Sequence, residues 1–178
     1  MERKPYRQGH LDGFCGVYSV VNSMRLINRR MGDEKATMLF KRILRCLERK
    51  GAISSFATYG LSTDDLLCIL KEVVIPKYRI AVTRPFYRSR NTSLDYFLWE
   101  VTEYLRECPG RAVITSVAGH WTVLQGATAK QIHFFDSTGT RKVTREKCTI
   151  ARVSSPRPYL IEKKDVFFLT KKDKRERR

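Results

Sequence analysis

Cys15 differs from the other four cysteines because a turn leads it into the start of an apolar helical pattern. In the segment DGFCGVYSVVN, Asp12 and Gly13 precede Cys15 and apolar residues follow it. The first turn of a helix exposes backbone N–H groups and partial positive charge, and both stabilise a thiolate, the nucleophilic form of cysteine. We therefore predict that Cys15 is a nucleophile; the alternative is a buried structural cysteine at a helix start.

A nucleophilic thiol needs a base, and the base needs a group that orients it. The chain has three histidines, and His120 opens the segment GHWTVLQGATAKQIHFFDS, which is typical of a β-hairpin. A loop over residues 126–130 would place His120 directly opposite Asp136, with Cβ atoms roughly 4.5–5.5 Å apart. The pattern predicts a Cys15–His120–Asp136 triad; alternatively, Asp136-Ser-Thr-Gly139 is an ordinary β-turn.

The other two histidines fit the role of the base less well. His10 precedes the nucleophile and would need a different topology. His133 lies three residues from Asp136, so the alternation of a strand would put the two side chains on opposite faces. We expect neither histidine to be catalytic.

The elements that must carry these residues are mostly helices first and mostly strands later. Helical spacing of apolar residues predicts helices over residues 15–30, 34–50 and 93–107, and after Ser62, where Asp65 completes a capping box. We expect Pro76 to end that helix and residues 51–61 to form a loop. Residues 78–83 and several short runs after Pro109-Gly110 have the pattern of strands. This segregation predicts an α+β fold, with the nucleophile at a helix start and a C-terminal antiparallel sheet.

The composition indicates one folded domain with a strong positive charge. The chain has 178 residues and a formal net charge of +17, from 35 Lys and Arg against 18 Asp and Glu. We predict a single domain over residues 1–170 and a basic, disordered tail over residues 171–178. Such a charge attracts polyanions, although a basic protein without a specific anionic partner would show it too.

The remaining composition bears on location and on bound groups. No apolar run approaches the roughly 20 residues needed to span a bilayer, and the charged N-terminus does not have the pattern of a signal peptide. We therefore expect a cytoplasmic protein, although secretion as an effector stays compatible with the sequence. The five cysteines are odd in number and contain no Cys-x-x-Cys pair, so we expect no disulfide framework, no metal site and no cofactor.

A cysteine at a helix start, followed by a histidine on a strand and then an aspartate, resembles the papain-like cysteine peptidases. Within them the chain is most similar to the bacteriocin-processing, double-glycine leader peptidases. The likeness covers the helix around Cys15 and the segment between residues 111 and 137. It implies a papain-like fold, a protein or peptide substrate, and hydrolysis of a peptide or isopeptide bond through an acyl-enzyme.

The same resemblance implies a glutamine that helps to form the oxyanion hole, and Gln8 is the candidate. Gln8 lies one residue farther from the nucleophile than is usual in that family. Two residues separate Asp12 from Cys15, where the leader peptidases usually have adjacent Asp and Cys. Ser137 also follows Asp136, where those peptidases usually have proline.

Two other classes of function remain open from the sequence. Transglutaminase-like enzymes and arylamine acetyltransferases use the same three residue types but pass the acyl group to an amine. A non-catalytic, basic nucleic-acid-binding domain is the second alternative, although no aromatic–basic stacking motif stands out. The sequence specifies neither the substrate nor the oligomeric state.

Overall fold

Helices precede most of the strands in the computed structural model, which describes residues 3–172. The predicted α+β fold is therefore confirmed. Within the described residues, no helix combines the length and the apolar character needed to cross a bilayer. The helices are α1 (Cys15–Ile27), α2 (Asp33–Glu48), α3 (Ile53–Tyr59), α4 (Thr63–Ile69), α5 (Ile75–Tyr78) and α6 (Leu94–Glu107).

Two of the helical predictions are wrong in instructive ways. Residues 51–61 were expected to be a loop, but they contain α3. Pro76 does not end the helix that begins after Ser62, because a π-helical turn, Leu70–Val74, joins α4 to α5. Pro76 lies in the first turn of α5, directly after that π-helical turn. The predicted capping box between Ser62 and Asp65 is present.

Six strands form the main antiparallel sheet, and a short parallel pair lies apart from it. The strands are β1 (Ile80–Thr83), β2 (Arg111–Val117), β3 (His120–Ala127), β4 (Gln131–Phe134), β5 (Lys142–Thr144), β6 (Cys148–Thr149), β7 (Tyr159–Leu160) and β8 (Phe167–Lys171). Their order in the main sheet is β1-β8-β2-β3-β4-β5, while β6 pairs with β7. The last strand thus lies between the first and second strands.

The C-terminal boundary differs from the prediction by two residues. Lys171 belongs to β8, and the backbone N–H of Lys172 donates to the carbonyl oxygen of Arg79 at 2.9 Å. These two residues therefore belong to the folded domain rather than to the predicted tail. The rest of that tail, residues 173–178, lies outside the described residues.

Apolar side chains cover both faces of the central strands. Helix α1 packs against β2 and β3 on one face, where Trp121 and Val123 are buried. Helix α6 packs against the same strands on the other face, where Leu124 and Phe134 are buried. Because helices cover both faces, β2 is a nearly continuous buried run rather than an alternating one.

The hairpin of β3 and β4 does not have the predicted register. Gly126 pairs with His133, but Leu124 pairs with Phe134, so Gln125 is an extra residue that forms a β-bulge. The turn is also tighter than expected, since the N–H of Thr128 donates to the carbonyl of Gln131 at 2.8 Å. His120 is therefore not directly opposite Asp136.

The loop that leads into α1 is held by Asp12 and by α3. The Asp12 carboxylate accepts the backbone N–H groups of Gly9 at 2.8 Å and Phe14 at 3.1 Å. The N–H of Gly13 donates to the carbonyl oxygen of Ala57 at 2.6 Å, and a Cβ at Gly13 would lie 2.7 Å from that oxygen. Only glycine permits this approach, so the unexpected helix α3 fixes the turn before Cys15.

We expect Gly13→Ala to destabilise the fold by about 1–3 kcal/mol, because the new methyl group would force two backbone segments apart. Gly51→Ala is the matched control, since an added Cβ there would first meet ring atoms of Phe56 at 3.9 Å. Its effect should stay within about 0.5 kcal/mol. Urea unfolding measures both changes, and equal effects of the two substitutions would contradict the close approach of Gly13 to Ala57.

Candidate active site

The structure brings Cys15, His120 and Asp136 together at one end of the main sheet. Cys15 is the first residue of α1, His120 is the first residue of β3, and Asp136 follows β4. The His120 Nε2 atom lies 2.7 Å from Asp136 Oδ1. The Cys15 side chain is one of the groups that raise the pKa of His120, and its sulfur lies 3.9 Å from the carbonyl oxygen of Gly13. Because Nε2 is bonded to the carboxylate, Nδ1 is the ring nitrogen that can exchange a proton with the Cys15 sulfur.

The bulge at Gln125 determines which face of the hairpin Asp136 occupies. Beyond the bulge, the N–H of Phe135 donates to the carbonyl of Val123 at 2.8 Å, so Asp136 comes beside Thr122, two residues from His120 along β3. Two residues along a strand preserve the face, so His120 and Asp136 meet diagonally. Without the extra residue, Asp136 would come beside Val123, whose side chain points to the opposite face.

Asp136 is buried, with its side chain only 1% exposed, and it makes hydrogen bonds with both carboxylate oxygens. Oδ1 contacts His120, while Oδ2 accepts the backbone N–H of Thr138 at 2.8 Å and also the Thr138 hydroxyl. Burial by itself would raise the pKa of Asp136, but the hydrogen bonds of the carboxylate hold that pKa well below its ordinary value. Asp136 is therefore ionised at neutral pH.

The Asp136–Thr138 contact reconciles the two interpretations of this segment. Asp136 does initiate a turn, as the alternative interpretation proposed, because its side chain bonds to the backbone two residues on. The turn uses one carboxylate oxygen and leaves the other for His120. Thr138 was missed as a site residue, although the sequence Asp136-Ser-Thr-Gly139 contained the signal for this bond.

The His120 imidazole is kept protonated by its neighbours. Burial by itself would lower the pKa of His120, but hydrogen bonds and charge from Asp136 and Cys15 raise it from 6.5 to about 9. At neutral pH the ring is therefore an imidazolium, placed between a carboxylate and a thiol.

Leu61 fixes the relative positions of the two chain segments that carry Cys15 and His120. A Cβ at Gly16 would lie 2.8 Å from the Leu61 side chain, so the start of α1 packs directly on this residue. The indole N–H of Trp121 donates to the carbonyl oxygen of Leu61 at 2.8 Å. Gly16 is next to Cys15 and Trp121 is next to His120, so one buried residue contacts the neighbours of both.

Gln8 lies close to the triad, with its side chain held from two sides. Its Nε2 donates to the carbonyl oxygen of Asp12 at 3.2 Å, and its Oε1 accepts the Ser137 hydroxyl at 2.9 Å. The backbone N–H of Gln8 also donates to the carbonyl of Ser137 at 3.2 Å. Gln8 is therefore bonded through both its side chain and its backbone to Ser137, the residue that follows Asp136.

The two remaining histidines lie elsewhere. His10 is exposed in the loop before α1. His133 is half-buried in β4, where it pairs with Gly126 and Lys142. His120 is the histidine that bonds to Asp136.

Two clefts border the His120–Asp136 pair. The first has a volume of about 230 Å³ and a largely apolar lining, which includes His120, Asp136, Val117 and Tyr159. The second has a volume of about 520 Å³ and shares Asp136 with the first, but its rim carries positive charge. The basic residues of that rim are Arg3, Lys4, Arg7 and Arg141.

Cys46, Cys68 and Glu72 form a separate group of side chains that could ligate a metal. Their sulfur and carboxylate atoms all lie within 4.8 Å of one another. This cluster could not be predicted from sequence spacing, because Cys46 lies on α2 while Cys68 and Glu72 lie on the helical segment that begins with α4. Only the packing of these helices brings the two sulfurs together.

Comparison with protein-family models, with curated proteins and with solved structures finds no match to this chain. Functional interpretation therefore depends on the geometry of the site itself.

We expect Asp136→Asn to lower the pKa of His120 from about 9 towards or below 6.5. The neutral amide removes the charge that favours the imidazolium, whereas burial continues to oppose it. NMR titration of the imidazole resonances measures the change. Asp95→Asn is the control, because Asp95 is an exposed carboxylate on α6 that pairs with Arg145. A His120 pKa that is unaffected by Asp136→Asn would contradict the observed contact.

Proposed function

We propose that this chain is a papain-like cysteine peptidase that hydrolyses a peptide or isopeptide bond. The observation that carries the proposal is the 2.7 Å bond between His120 and a buried Asp136, beside a cysteine at the start of α1. A nucleophile, a proton carrier and a group that orients the carrier are the parts that acyl transfer requires. Each of them lies on a different element, which the core holds in place.

The first half of the reaction forms an acyl-enzyme. The Cys15 thiolate attacks the carbonyl carbon, and the C–N bond breaks as the His120 imidazolium gives its proton to the leaving amine. Asp136 holds the ring by Nε2 and stabilises its positive charge. A His120 pKa of about 9 means that this proton is in place before the substrate binds at neutral pH.

The second half releases the acid product. His120, now neutral, takes a proton from water while the water oxygen attacks the acyl carbon. The C–S bond then breaks, and the sulfur leaves as the thiolate beside the regenerated imidazolium. The enzyme thus returns to its starting charge state, with water as the only other reactant.

The oxyanion formed in each half can be received by the Cys15 backbone N–H and by Gln8. An amide NH₂ group carries two hydrogens. One hydrogen of Gln8 Nε2 is used by the carbonyl of Asp12, which orients the group and leaves the second for a substrate oxygen. Ser137 supports this orientation, because its hydroxyl donates a hydrogen bond to Gln8 Oε1. That bond opposes a rotation that would exchange the amide oxygen and nitrogen.

The same chemistry would serve acyl transfer if an amine replaced water in the second half. The mostly apolar cleft beside His120 is one place where a second substrate could approach the acyl carbon. Incubation with an acyl donor in water, with and without added amines, separates the two reactions. Release of free acid in the presence of amine supports the peptidase, whereas an amide product alone supports the transferase.

A panel of peptide electrophiles, including ones that end in glycine, should label Cys15 in preference to the other thiols. Burial raises the pKa of Cys46 to about 12 and that of Cys148 to about 11, so these thiols should react slowly. Cys108→Ala, which removes a half-buried thiol outside the site, should leave labelling unchanged. Peptide mapping identifies the labelled residue, and an inert Cys15 would contradict the proposal.

Once a cleaved peptide is found, His120→Ala should lower kcat/KM by at least about 10³-fold, and Asp136→Asn should cost less than Asp136→Ala. The rate should also fall as the pH rises through about 9, because the imidazolium that protonates the leaving amine is lost there. An activity that is insensitive to His120→Ala would remove the base from the mechanism.

Polyanion binding is a second candidate function, and the basic rim of the larger cleft favours it. Arg7 and Arg141 are exposed on that rim, close to Asp136. We expect the Arg7→Ala, Arg141→Ala double variant to weaken single-stranded RNA binding and to reduce its salt slope by about two. The control is the Lys41→Ala, Arg45→Ala double variant on α2, which also removes two positive charges but away from that cleft. Equal losses in both variants would indicate attraction by net charge alone.

A further inference from the structure

The Cys46–Cys68–Glu72 cluster has the spacing of an ion site. Cys46 Sγ lies 3.5 Å from Glu72 Oε2, and Cys68 Sγ lies 3.1 Å from Glu72 Oε1. The ligand atoms of all three side chains lie within 4.8 Å of one another. In a tetrahedral zinc site, with Zn–S near 2.3 Å and Zn–O near 2.0–2.2 Å, neighbouring ligand atoms are about 3.5–3.8 Å apart. To hold an ion, the closer pairs would need to move by several tenths of an ångström and the widest by up to about 1 Å.

We propose that Cys46, Cys68 and Glu72 form a zinc-binding site between α2 and α4, with a water molecule as the fourth ligand. Two thiolates favour a soft d¹⁰ ion over magnesium or calcium. Cys46 is buried, Cys68 is half-buried and Glu72 is exposed, so the open coordination position faces solvent.

The charges around the cluster suit a site of this composition. Two thiolates, one carboxylate and one Zn²⁺ ion leave a net charge of −1. Arg49 lies 3.2 Å from Glu72 Oε2, and the cysteines of the cluster act electrostatically on Lys50. These cations offset the residual charge, and the Arg49 contact orients the carboxylate with its Oε1 towards Cys68.

The ion would replace two protons. In the empty cluster both thiols donate to the Glu72 carboxylate, Cys46 to Oε2 and Cys68 to Oε1. Coordination releases one proton from each thiol to solvent, and the ion then attracts the two thiolates and the carboxylate.

The local backbone also fits an ion site. Cys68 and Glu72 are four residues apart, so they share one side of the helical segment, and Glu72 lies within the π-helical turn Leu70–Val74. Turns of this kind are frequently found at functional sites. A bound ion would join α2 to this segment and stabilise the folded chain by mass action.

Cadmium binding to the full-length chain carrying Cys15→Ala tests the site, with a phosphine reductant present to keep the thiols reduced. Cys15→Ala removes the Cys15–His120 pair as a competing ligand set, so the result is independent of the proposed peptidase activity. We expect one Cd²⁺ per chain, a thiolate-to-metal absorption band, and displacement of the Cd²⁺ by Zn²⁺.

Single substitutions identify the ligands. Cys68→Ser and Glu72→Gln change partly or fully exposed side chains and should preserve the fold, whereas Cys46→Ser changes a buried one. Each ligand substitution should weaken Cd²⁺ binding by at least about tenfold, since even second-sphere changes cost that much. Cys108→Ser is the control and should bind as the parent does. The proposal would be overturned if the parent failed to bind Cd²⁺. It would also be overturned if the Cys68→Ser and Glu72→Gln variants bound Cd²⁺ as tightly as the parent does.

Discussion

Leu61 is the residue on which the geometry of the candidate site depends, because it contacts both halves of the fold. Gly16 packs against its side chain, and the indole of buried Trp121 donates to its carbonyl oxygen at 2.8 Å. Since Gly16 follows Cys15 and Trp121 follows His120, any shift of α1 relative to β3 must disturb one of these two contacts. A side chain at position 16 would force Leu61 to move, because its Cβ would lie 2.8 Å from the leucine side chain.

The His120–Asp136 pair depends on a defect in the sheet rather than on its regular pairing. The extra residue at Gln125 changes the register by one position, and this change returns Asp136 to the face that His120 occupies. The Thr138 turn then holds the second carboxylate oxygen, so the carboxylate can be buried while it remains ionised. Bulges commonly re-aim side chains next to functional sites, and this one aims the carboxylate that supports the proposed base.

The helical half has two separate tasks in this interpretation. Helix α3 supplies the Ala57 carbonyl that fixes Gly13 before the proposed nucleophile. Helices α2 and α4 pack so that Cys46 and Cys68 share one carboxylate. The first contact lies two residues from Cys15, whereas the second is a separate contact between helices. Basic side chains also gather in two places. One group lines the cleft beside Asp136, and a second group lies near Glu72.

The sequence by itself determined the order of helices and strands, the helix start at Cys15, the capping box at Ser62, and the three residue types that meet at the site. These features follow from local spacing and local hydrogen bonds, which a short segment already contains. Tertiary structure alone decided the register of the hairpin, because the bulge at Gln125 leaves no mark in an alternating pattern. It also decided that residues 53–59 are helical and that Cys46 meets Cys68, since both depend on packing between segments distant in sequence.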